Sequence, residues 1–181
     1  MGSDADAIFA FRHIADLMKD PSDPAYLDME ALSHLTDTVI ASFRLAPEDR
    51  TALYHLQQLT TIVTTLTDTF SQSSPLWQVL AKLKHAQRWT GEAMEHLLSA
   101  YRTSLKADWS VSARQFNTVA AVVDALLSMY GALDQASQPK YKSSLRLLLS
   151  TFLKRSREFL AEEEAYKRIE KIFEEDFSIQ H

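Results

Sequence analysis

Apolar positions recur along this chain at three- and four-residue spacing, the period of amphipathic helices. Ile8, Phe11, Ile14, Ala15 and Met18 form the first stripe. Leu27, Ala31, Leu35, Val39 and Phe43 form a second, and Leu53, Leu56, Leu59, Val63, Leu66 and Phe70 a third. The fourth runs through Leu76, Val79, Leu80, Leu83, Thr90, Met94, Leu97, Tyr101 and Leu105; Gly91 is a candidate point of division, but the phase continues across it without a skip, which favours one long helix with a mild bend or close approach there. In the fifth, Phe116, Val119, Ala120, Val123, Leu126, Leu127 and Tyr130 are widened by Val122 into a face that needs several neighbours to cover it.

Start and stop signals separate these stripes. Ser3 and Asp6 stand at capping-box spacing, and Pro21-Ser22-Asp23-Pro24 ends one helix and starts the next. Ala46-Pro47-Glu48-Asp49 places proline and two acids at the positive end of the third helix, and Ser74-Pro75 opens the fourth after a serine-rich loop. Ser112 and Gln115 cap the fifth, which ends at Gly131 or at the Gln135 to Gln138 connection. The third segment is loaded with Thr60, Thr61, Thr64, Thr65, Thr67 and Thr69, so its helicity depends on packing and a strand is the competing assignment.

The last segment differs in length. From Tyr141 nearly to Phe177 there is neither proline nor glycine, and Leu145, Phe152, Phe159, Tyr166 and Phe173 recur every seven residues with Leu149, Ile169 and Ile172 beside them. This predicts a long C-terminal helix, either the spine of a bundle or a projection from it. The companion positions weaken at Ser156 and Glu163, where the helix is expected to bend, switch faces or meet a partner.

Composition narrows the class. Three glycines and five prolines in 181 residues are too few for a turn-rich sheet protein, so the expected fold is all-α, an antiparallel helical bundle of about five to six helices. The length suits a single domain over 1–181, with 160–181 able to project as a helical extension. Without cysteine there is no disulfide, thiolate metal site or thiol nucleophile, which fits a reducing, cytoplasmic setting. No apolar run is long enough to span a bilayer, the start is acidic, and Asp6 stands where a myristoylation signal has Ser or Thr. The net charge of -5 gives no strong nucleic-acid signal.

Catalytic patterns fare poorly. Glu30 with His34 and Glu92 with His96 are four apart, whereas di-iron bundles use Glu-x-x-His, and four is also the spacing of surface pairs. The acids from Glu162 to Glu164 and from Glu170 to Asp176 alternate with Lys167, Arg168 and Lys171 as a solvated helix face does. There is no aspartate-rich diphosphate motif, nucleophile elbow or glycine-rich phosphate loop. The chain therefore reads as noncatalytic, with neither a cofactor nor a metal site assigned.

What remains is recognition. Lys140, Lys142, Arg146, Lys154, Arg155 and Arg157 precede the first acid of the last segment, Glu158, while the first forty residues are acidic. The basic half either faces that acidic region internally or engages an acidic protein surface, and peripheral contact with anionic lipid is compatible with it. Trp77, Trp89 and Trp109 stand at the start, middle and end of the fourth segment, and the first two are expected at core edges, where tryptophan packs bundle ends or anchors a partner. The expected function is a protein-protein interaction or adaptor module with Trp89, Arg146, Arg155, Arg157 and Phe159 as its contact residues. A small-molecule or lipid-binding helical sensor is the alternative, a metal-dependent enzyme using Glu92 and His96 comes third, and the distal helix offers a homodimer contact.

Overall fold

A computed structural model describes residues 5–9, 12, 28–105, 113–160 and 163–178, with the side chains of 113–115, 158 and 159 outside that description. The expected starts at Ser3, Pro24 and Ser112, and Trp109, lie outside the described residues. The fold is all-α, and no strand occurs among the described residues. Seven α-helices and a π-helical turn are described in addition to a helical stretch at 5–9. They form two compact units, Met1–Ala100 and Tyr101–His181.

In the first unit, α1 (Met29–Leu45), α2 (Arg50–Thr69) and α3 (Ser74–Ala86) pack against one another. Their starts are specified by side chains: Asp28 accepts from the amide of Ala31, Asp49 from that of Thr51 and Ser73 from that of Leu76. Leu32, Leu35 and Val39 of α1 meet Leu56, Leu59, Val63 and Leu66 of α2 and Leu76, Leu80 and Leu83 of α3 in one core, which also takes in Ile8. Each fully buried leucine contributes roughly 1.5–3 kcal/mol relative to exposure, so this seam alone outweighs the poor helix propensity of threonine.

The threonine-rich segment is helical because its hydroxyls are satisfied within the helix. Thr60, Thr61, Thr64, Thr65 and Thr69 each donate to the carbonyl four residues back, and Thr67 to the carbonyl three back. This removes the unpaired-hydroxyl penalty that would otherwise accompany the burial of Thr60 and Thr67.

The fourth predicted helix is two helices. α3 ends at Ala86, and α4 (Thr90–Ser104) begins after a turn at Gln87-Arg88-Trp89. The amide of Arg88 donates to the His85 carbonyl at 2.9 Å and that of Trp89 to the Lys84 carbonyl at 2.9 Å, the paired bonds of a Schellman cap. Arg88 takes the left-handed position with φ 63°, where glycine is the usual residue, so no sequence signal marked the stop. Gly91, where a bend was expected, lies in the first turn of α4, and a Cβ there would meet nothing within 4 Å.

In the second unit, α5 (Ala113–Ala132) runs through Gly131 and offers the expected broad face, with Phe116, Val119, Val122, Val123 and Leu126 buried. α6 (Gln138–Leu160) carries Leu145, Leu149 and Phe152 into this core, and the rings of Phe116 and Phe152 stack with centroids 5.5 Å apart. The long C-terminal segment is divided. α6 stops at Leu160, Glu163 is extended at ψ 136°, and α7 (Glu164–Ile172) leads into a π-helical turn, Phe173–Phe177. Both return pieces pack against α6, and α7 also meets α5, so the distal segment folds back instead of projecting.

The sequence stripe explains the return. Leu145, Leu149 and Phe152 face the same core as Tyr166 and Ile169, and two such faces cover each other only if the chain reverses between them. Ser156, the weak companion position, is fully buried and donates to the Phe152 carbonyl at 2.6 Å. Its small side chain is thus buried without an unpaired hydroxyl.

Candidate functional site

The expected contact residues fall into different places. Trp89 belongs to the first unit, at the α3–α4 turn, and is 49% exposed. Its ring lies 4.5 Å from the Lys84 ammonium, which also pairs with Glu92 at 2.9 Å and whose side chain is only 16% exposed. In the Schellman numbering these are the two positions that ordinarily touch through apolar groups, and here the contact is cation over ring. Trp89 also borders an open groove of about 410 Å³ formed with the threonine ridge of α2 and with Gln87, whose amide donates to the Thr60 hydroxyl at 2.8 Å.

Beside this turn, Glu92 and His96 have separate partners. Glu92 is engaged by Lys84, and the His96 ring stacks on Trp77 with centroids 5.6 Å apart. Among the described residues, no three His, Asp or Glu side chains come together as metal ligands. The buried Nε2 of His96 has no hydrogen-bond partner, nor has Nδ1 of His85. Burial and then the Lys84 charge hold the His96 imidazole below its ordinary range, against the opposing pull of Glu92 and Glu95.

The basic residues belong to the second unit, on α6. This helix holds six of the chain's 19 Lys and Arg residues but only one of its 24 acids, Glu158. At about 100° per residue, Arg146 and Arg157 project about 20° apart, whereas Arg155 projects about 180° from Arg146. Arg155 lies toward Tyr101, whose phenol burial pushes up to about 12 while the Arg155 charge acts in the opposite sense. The backbone of Phe159 is part of α6, but its side chain lies outside the described residues. Of the five expected contacts, two, Arg146 and Arg157, therefore project from the same side of α6.

Those two line a pair of adjoining cavities along one side of α6. One, of about 580 Å³, is bounded by Ser143, Arg146 and Leu147 on α6 and by Phe173 and Phe177 on the π turn. The other, of about 280 Å³, lies between Lys154 and Arg157 on α6 and Tyr166, Glu170 and Glu174 opposite. Ser150 and Phe173 border both, so the two cavities adjoin and together make up the α6 groove. No protein-family model, curated protein or solved structure matches the chain. The groove's own chemistry is thus the basis for any functional reading.

That chemistry is graded along its length. At the inner end, the Tyr166 hydroxyl donates to Glu170 at 3.3 Å, and burial followed by the Glu170 charge raises this phenol against a lowering by Arg157. At the outer end Leu147 is 71% exposed beside the exposed Arg146. Sequence reasoning missed Leu147, Phe173 and Phe177 as groove residues. Leu147 falls outside the seven-residue stripe, and that departure was the available signal; the π turn that aims the two phenylalanines had none.

Proposed function

We propose that this protein is a noncatalytic protein-binding module whose groove along α6 receives a segment of another protein. The reading rests on the pairing of Arg146 with the exposed Leu147 on one wall of a cavity whose other wall presents Phe173 and Phe177. An apolar anchor desolvated between Leu147 and the phenylalanines would supply affinity, and the arginine would fix orientation and speed encounter. A volume of about 580 Å³ lies within the roughly 300–1,000 Å³ of typical binding clefts. Trp89 belongs to the other unit, where the Lys84 ammonium lies over its ring.

The test is affinity capture from the native cell, with retained proteins identified for the unaltered chain, for an Arg146→Glu/Arg157→Glu variant and for Arg155→Glu. Because Arg155 projects from the opposite side of the helix, its reversal is the control for charge alone. Retention of a partner by the unaltered chain and by Arg155→Glu, with loss from the double variant, supports the groove. Equal recovery of every protein by all three forms overturns it.

A further inference from the structure

We infer that the segment received by the α6 groove is an acidic helix carrying a large apolar anchor, chemistry that the chain's own return segment already displays on the same helix. The inference rests on the protein-binding reading above and specifies the partner for that site.

The return segment shows what α6 accepts. Tyr166 and Ile169 are buried where α7 packs against α6 and α5, and Phe177 is buried against Tyr130 of α5 with ring centroids 5.4 Å apart. Around these anchors the segment carries Glu170, Glu174, Glu175 and Asp176, and the first two face Lys154 and Arg157 across the inner cavity. Tyr166 and Phe173, with Glu170 and Glu174 beside them, thus border the basic side of α6 within one molecule. The same combination is offered again, unfilled, at the outer end, where Arg146 supplies the cation and Leu147 with Phe173 the apolar walls.

Charge decides between a protein and a lipid surface. Arg146, Lys154 and Arg157 enter none of the ion pairs made among the described residues. An anionic bilayer would bring a broad sheet of negative charge against both walls at once. The wall opposite α6 carries Glu170 and Glu174, which would repel it. A helix can direct its carboxylates toward α6 and its apolar stripe toward Leu147, satisfying both walls.

The experiment uses the full chain and a fluorescently labelled peptide with the sequence of residues 169–178, compared with a second peptide in which its four acids are replaced by lysine. Fluorescence anisotropy should show saturable binding of the acidic peptide only. Arg146→Glu and Leu147→Asp, both at exposed positions, should each weaken it by at least about tenfold, and Arg155→Glu should leave it within about twofold. Equal binding of the two peptides, or no binding of either, overturns the inference. The capture comparison is independent of these peptides, so a partner of other chemistry would still be seen there. Sedimentation with vesicles containing phosphatidylserine supplies the lipid arm: binding weakened equally by Arg146→Glu and Arg155→Glu would overturn the proposal in favour of a membrane-facing helix.

Discussion

The Lys84 ammonium lies 4.5 Å from the centre of the Trp89 ring, and the two residues bracket a helix end whose pivot, Arg88, holds a left-handed backbone. The cation-ring contact and the two capping hydrogen bonds keep Arg88 in that conformation, which costs an L-residue roughly 1–2 kcal/mol.

Arg88→Gly should therefore stabilise the first unit, by about 0.5–1 kcal/mol after allowance for glycine's greater freedom in the unfolded chain. Arg88→Val should destabilise it, because a β-branched residue is the least tolerant of positive φ. Urea denaturation with an unchanged slope reads both effects. A fall in midpoint on introducing glycine would refute the strain argument.

Ser156 tests the close packing of the second unit. Ser156→Ala removes only a hydroxyl bonded within its own helix, and the change should stay within about 1 kcal/mol. Ser156→Leu would force extra methylenes into a fully buried position and should cost about 1–3 kcal/mol or more. Similar thermal midpoints for Ser156→Leu and the unaltered protein would show that the position has room.

His96 gives stability a pH dependence of definite sign. Its imidazole is held below the ordinary 6.5, so below that pH the unfolded chain binds protons that the folded chain resists. Stability should be at its full value above about pH 6.5 and fall as the pH is lowered through the depressed folded value. His96→Gln should flatten this fall. Denaturation midpoints from pH 7.5 down to pH 5 supply the comparison, and an unchanged slope in the variant would assign the effect to other groups.

Arg168 of α7 donates through Nε and Nη2 to Asp124 of α5, tying the return helix to its neighbour. Both side chains are more than a third exposed, so a double-mutant cycle with Arg168→Gln and Asp124→Asn should give a coupling of only about 0.2–1 kcal/mol, smaller in high salt. Zero coupling would leave apolar packing at Tyr166 and Ile169 as what holds the return helix.

The fold class and the core stripes were legible because helical period survives in the sequence wherever one face is buried: Leu35, Val39, Leu56, Leu59, Leu145 and Leu149 all lie in the described cores. The breaks were not legible. The sequence offers continuous apolar phase across Gln87 to Trp89, and only hydrogen bonding around Arg88 ends α3. The reversal before Glu164 is likewise made without proline or glycine, although weakness at Ser156 and Glu163 pointed to its neighbourhood. Charge pattern found the basic helix but grouped Arg155 with Arg146 and Arg157, because closeness in sequence does not distinguish opposite sides of a helix.

The π turn also limits how this segment can be moved or edited. The Ser178 amide reaches the Phe173 carbonyl at 2.8 Å, five residues back, so the turn contains one residue more than an α-helix would use. Deleting any residue between the two phenylalanines would rotate all that follows by about 100°. Phe177 would then leave Tyr130, and the cavity of about 580 Å³ that it borders would change shape. A chimera or shortened version of this protein must carry residues 173–177 as an indivisible spacer.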